Sequence, residues 1–161
     1  MPLPTIFDTS HPRPEVLGGD LLDAIFAADL WEVIEGRAHP DYEDPRPFFA
    51  NSHPTGSLAF LLTEVAGRSA GRGGGVPVFR LETGFGGGKT QSLIAAVHVA
   101  HQGANLATEL SEYSVAYLPA AGATGVAAFV GEQSDPLSGI LHRENGRELR
   151  THTPGERSRS R

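Results

Sequence analysis

The segment Thr83–Thr90 (Thr-Gly-Phe-Gly-Gly-Gly-Lys-Thr) constrains this chain more than any other. Its glycines at 84, 86, 87 and 88 oppose regular structure and favour a tight, freely bending loop. The preceding residues Val76–Leu81 (VPVFRL) have the β-branched and aromatic character of a short buried strand. The following run, TQSLIAAVHVAHQ, carries Leu93, Ile94, Val97 and Ala100 at helical spacing, and Gly103 supplies a stop. Strand, glycine loop and helix in that order predict a phosphate loop.

Each residue of that loop matches a chemical need. Small, flexible residues let consecutive backbone N–H groups curl around phosphate oxygens. The positive end of a helix that starts at once faces the same anion. Gly84, Phe85, Gly86, Gly87 and Gly88 would form the cradle, with Thr83 and Gln91 at its two ends. Lys89 would reach the β- and γ-phosphates as the catalytic cation, and the Thr90 hydroxyl would hold Mg2+. The strict pattern wants glycine where Thr83 stands. A dinucleotide-binding G-x-G-x-x-G set on Gly84 and Gly86 would put Lys89 in the place of its third glycine, against close helix–strand packing. A glycine-rich turn that happens to precede a lysine is the bland alternative. The cofactors expected are therefore ATP and Mg2+.

Composition sharpens this reading. Of 13 basic residues, Lys89 is the sole lysine. Cysteine is absent, which excludes disulfides, cysteine–zinc sites and thiol catalysis. The net charge of −6 argues against broad nucleic-acid binding, so such contact is expected to be indirect. No apolar run reaches the roughly 18 residues of a membrane span, so the expected compartment is the cytoplasm, with no membrane partner.

Elsewhere, residues 1–19 read as an extended segment opposed to helix by Pro12 and Pro14. A helix is expected from an Asp20 cap through Leu21, Leu22, Ile25, Phe26, Leu30, Val33 and Ile34, ending at Gly36. RAHPDYEDPRPFF reads as an acidic loop. A second helix begins near Thr55, with Leu58, Leu61, Leu62 and Val65 on one face. ANLATELSEYS suggests a short helix, and GVAAFVG (125–131) a second strand. Glu132 and Asp135 follow that strand as candidate metal-side acids, with solvated loop acids as the competing reading. His98 and His101 could share a helix face, but no third metal ligand stands at a recognisable spacing. His11, His39 and His53 lie near prolines and point to nothing specific, and Trp31 reads as packing against Phe26.

Three blocks in this order, HPRPEVLGGDLLDAIFAADL, DPRPFFANSHPTGSLAFLLTEVAGR and FRLETGFGGGKTQSLIAAVH, resemble the opening of large bacterial ATP-binding proteins grouped as domain of unknown function four-nine-nine. The likeness covers roughly residues 12–140. It implies an AAA-type P-loop ATPase, and some relatives are associated with anti-phage defence loci that also encode a DNA methyltransferase and a helicase. It also implies that the helices before the loop border the adenine. The expected fold is α/β, an incomplete P-loop NTPase (AAA-like) core behind a helical N-terminal segment. The divisions are 1–70, extended segment and helices; 71–75, a glycine-rich linker; 76–141, the start of the core; and 142–161, a basic, disordered tail. The abrupt arginine–serine ending carries the expectation of an N-terminal portion cut short near Pro154.

The function expected is Mg-ATP binding, with hydrolysis coupled to work on nucleic acid or a protein partner, in a homo-oligomer or a larger defence complex. The alternative is a chain that binds nucleotide without turnover, or an inactive fragment acting through partner contacts. A small-molecule kinase is weakened by the want of a clamp for a second substrate.

Overall fold

Thr55 opens the first long helix as its sequence predicts, with its hydroxyl accepting from the Leu58 N–H at 3.3 Å. The helix it caps runs Gly56–Ser69 and packs on a second of equal length, Lys89–Gln102. The computed structural model describes residues 4–12, 14–19, 27–72, 75–130, 140–144 and 147–151. In chain order the helices among the described residues are α1 (Ile6–Thr9), α2 (Pro14–Gly18), α3 (Leu30–Ile34), α4 (Pro40–Glu43), α5 (Pro45–Ala50), α6 (Gly56–Ser69) and α7 (Lys89–Gln102). Short 3-10 helices at Gly103–Leu106 and Ser111–Tyr113 stand where ANLATELSEYS suggests a helix. An antiparallel hairpin, β1 (Ile140–Glu144) and β2 (Arg147–Thr151), pairs Ile140 with Thr151 and Glu144 with Arg147. It takes in the first residues of the stretch read as a tail.

The α/β expectation is overturned. Among the described residues the architecture is helical, there is no parallel sheet, and neither 76–81 nor 125–130 is a strand. β-Branched composition marks a segment that fits a pleated, half-covered surface, and it needs a neighbouring strand to become one. Here Val78 is 77% exposed and Val76 42% exposed. The Val76 N–H is taken by Glu64 Oε2 of α6 at 2.9 Å, and Arg68 Nη1 donates to the Gly75 carbonyl at 3.3 Å. Side chains of α6 thus hold the chain where this segment begins, at Gly75 and Val76.

Proline misleads twice more. Residues 1–19 contain α1 and α2 rather than only extended chain. The expected loop at 37–49 holds α4 and most of α5, each starting on a proline whose missing N–H costs nothing at a first helical position. His39 Nδ1 accepts from the Asp41 N–H at 3.3 Å, and the Asp44 carboxylate accepts from the Arg46 N–H at 2.9 Å. α3 starts at its own cap, Asp29, which accepts from the Trp31 and Glu32 N–H groups. The earlier part of that expected helix, Asp20, Leu21, Leu22, Ile25 and Phe26, lies outside the described residues, and so does the Phe26 side of the Trp31 pairing.

The core joins these elements. Phe48 and Phe49 of α5, Leu58, Leu62 and Ala66 of α6, and Ile94, Ala95 and Val99 of α7 are buried together with Leu106, Leu110 and Tyr113. Phe49 meets Tyr113 edge-on at 5.5 Å between ring centroids, a preferred aromatic geometry. Of the four α7 residues expected inside, Ile94, Val97 and Ala100 are buried, whereas Leu93 is 43% exposed.

His98 belongs to this core. It is 4% exposed, its ring lies 5.0 Å from that of Phe48, and its Nε2 is 2.8 Å from the Tyr42 carbonyl oxygen. A carbonyl only accepts, so Nε2 carries the proton. Among the described residues no group of three or more His, Cys, Asp or Glu side chains is placed to hold a metal ion. Burial pushes the His98 pKa below its ordinary 6.5 and outweighs the raising effects of the Tyr42 carbonyl and Asp44, while His101 also lowers it. The unfolded chain therefore binds this proton more readily, and stability falls as pH drops below about 6.5. We expect unfolding midpoints from pH 8 to 5 to decline more steeply for the wild type than for His98→Gln, whose amide can still donate to Tyr42. Equal slopes would contradict this account of His98.

Candidate phosphate-binding site

Residues 83–88 form an exposed glycine loop that runs directly into α7. Gly86 and Gly88 both have φ +74°, a left-handed conformation that side chains disfavour. The Gly87 N–H closes a turn on the Gly84 carbonyl at 3.2 Å. A β-carbon on Gly87 would run into the Thr83 side chain and come within 3.1 Å of the Gly84 oxygen. Gly86 and Gly88 therefore answer to their backbone angles, and Gly87 to its close neighbours. Phe85 sits between them, fully exposed.

Lys89 folds back over this loop. Its Nζ donates to the Thr83 carbonyl at 2.8 Å, the Gly84 carbonyl at 3.0 Å and Thr83 Oγ1 at 3.2 Å. The ammonium is thereby held against the opening turn of the loop. Among the described residues no side chain caps α7, whereas Asp29, Asp44 and Thr55 cap α3, α5 and α6. The first-turn N–H groups of α7 are left to an acceptor that is not a side-chain cap. Thr90 follows in this first turn, partly exposed.

A cleft of about 450 Å3 adjoins the loop. One wall is the α5–α6 connection with Asn51, Ser52, His53 and Thr55, and the other is Gly87, Gly88, Gln91 and Ser92. The two walls are tied together. Gln91 Nε2 donates to Ser52 Oγ at 2.6 Å, Ser52 Oγ donates to the Phe48 carbonyl at 2.7 Å, and Tyr113 Oη donates to the Ser52 carbonyl at 2.8 Å. Gln91 thus serves as the link between the loop helix and the segment before it. Among the described residues no acidic side chain lines the cleft, so an anion entering it meets no like charge from them.

All nine expected site residues, Thr83 to Gln91, fall on one continuous loop and helix start. Ser52 and its neighbours went unread because they stand 39 residues from Gln91, and no spacing rule connects them. The candidate acids Glu132 and Asp135 lie outside the described residues. Among those described, no helix is long and apolar enough to cross a membrane. No curated protein and no solved structure matches the chain. The family DUF499 N-terminal domain does match, over residues 9–114, a span that holds the loop, the cleft and both long helices, and the chain belongs to that family.

Proposed function

We propose that this chain binds a nucleoside triphosphate, ATP with Mg2+, at residues 83–91. The observation that carries the reading is the Lys89 ammonium, folded over a loop whose glycines adopt conformations that side chains oppose. In this reading Lys89 contacts the terminal phosphates, the amides of the cradle and of the first turn of α7 receive the remaining oxygens, and the Thr90 hydroxyl takes the metal side. The nucleoside lies toward the cleft between the α5–α6 connection and Gln91. The proposal concerns this loop and its helix, and it does not call for a parallel sheet. It is a proposal for binding. In the wider family reading, such binding would serve work on a nucleic acid or protein partner.

Calorimetric titration of the purified chain tests it. Mg-ATP is expected to bind at one site and to be displaced by inorganic triphosphate. Lys89→Ala removes a charged hydrogen-bond donor, worth about 1.5–3 kcal/mol, and should weaken binding roughly 10- to 150-fold. Equal affinity in the wild type and the variant would reject the site.

A further inference from the structure

The residue that departs from the strict phosphate-loop pattern is also the one that touches Lys89 twice. Thr83 offers both its carbonyl and its hydroxyl to the ammonium, at 2.8 and 3.2 Å, and Gly84 supplies the third oxygen at 3.0 Å. An ammonium has three donors and no acceptor. With these three oxygens its donors are all engaged from within the loop, before any ligand arrives. The two carbonyls belong to the backbone, and any residue at these positions would provide them. The hydroxyl belongs to threonine.

We propose that Thr83 is a self-restraining contact of this loop, its hydroxyl occupying the Lys89 donor that a phosphate oxygen must win. The inference rests on the nucleotide reading above. It assigns Thr83 a positioning role, acting through Lys89. A glycine at this place, as in the strict pattern, would leave that donor facing outward and unengaged.

A second contact ties Thr83 to the shape of the cradle. Its side chain fills the space beside Gly87 so completely that a β-carbon on Gly87 would lie 2.5 Å from Thr83 Cβ and closer still to Thr83 Oγ1. Gly87 has no left-handed φ of its own, so its lack of a side chain answers to Thr83 and to the Gly84 oxygen rather than to backbone strain. Thr83 and Gly87 are therefore coupled. Thr83 holds the lysine with its oxygen and sets the width of the loop with its bulk.

The chain's single lysine makes this directly measurable. With nitrogen-labelled lysine, the side-chain ammonium gives one resonance. Its protons should exchange with water several-fold faster in Thr83→Val, which keeps the branched shape and loses the hydroxyl. In parallel, Thr83→Val should bind Mg-ATP roughly three- to tenfold more tightly than wild type, the worth of one net hydrogen bond at an exposed site. Thr83→Ser restores the hydroxyl and should return both readouts toward the wild-type values. Gly87→Ala should weaken binding, and adding Thr83→Gly should recover much of the loss. Equal Mg-ATP affinity and equal ammonium exchange in wild type and Thr83→Val would overturn this inference alone. Failure of wild type and every variant to bind Mg-ATP would overturn the nucleotide reading, and this inference with it.

Discussion

Phe48→Ala is expected to lower the unfolding free energy by about 3–5 kcal/mol, the usual loss for a large aromatic removed from a packed core. Its ring is 1% exposed and stands edge-on to Phe49, with centroids 5.2 Å apart and planes at 87°. The other flank is His98 of α7. A methyl group in that space would leave a void bounded by two helices that α6 also braces, so collapse around it is restricted. For a domain of this size each kcal/mol moves the midpoint by roughly 2–4 °C, and the expected drop is therefore about 6–20 °C. Denaturant unfolding measures it. Phe85→Ala is the contrast, because that fully exposed ring should change stability by less than about 0.5 kcal/mol. Similar losses in the two variants would contradict the placement of the core.

Gly103→Ala carries the next largest effect, about 3 kcal/mol. Gly103 ends α7 with φ +47° and ψ −120°, a conformation that residues with a β-carbon occupy only under strain. The surroundings add to this. A β-carbon there would run into the Pro119 carbonyl oxygen and lie 2.9 Å from its carbon, and neither atom belongs to a side chain that can turn away. The same carbonyl accepts from the Ala104 N–H at 2.9 Å, and the Gly122 N–H donates to the His101 carbonyl at 2.9 Å. The substitution would therefore push residues 119–122 off the end of α7. Gly67, inside α6, has nothing within 4 Å of where a β-carbon would stand. Gly67→Ala should stabilise by up to about 1 kcal/mol through helix propensity. Opposite signs for the two glycine substitutions are the expected result, checked by chemical denaturation.

What could be read from the chain was local. α6 and α7 follow from periodic leucine, isoleucine and valine, and their ends from Thr55 and Gly103, signals that lie within a few residues of the structure they specify. The candidate site was legible for the same reason, since Thr83 to Gln91 are contiguous. The core phenylalanines were not. Pro45 and Pro47 mask the helix that carries Phe48 and Phe49, although proline at a first helical position is compatible with one. The want of a parallel sheet among the described residues has a different cause. VPVFRL looks like a strand in isolation, but a strand is made by its neighbour, and here Glu64 and Arg68 of α6 hold the start of the segment, at Val76 and Gly75. The cleft was hidden because the Gln91–Ser52 tie joins residues far apart in sequence.

Thermal unfolding with and without Mg-ATP tests whether residues 83–91 hold the nucleotide. A ligand at about a hundred times its dissociation constant adds roughly 2.7 kcal/mol to the native state. For a chain of this length that is an upward shift of roughly 5–10 °C. This shift is expected in the wild type, with near loss in Lys89→Ala and similar unliganded midpoints for the two, because Lys89 is exposed and, among the described residues, bonds only to its own loop. A cooperative transition that saturating Mg-ATP leaves in place would contradict it.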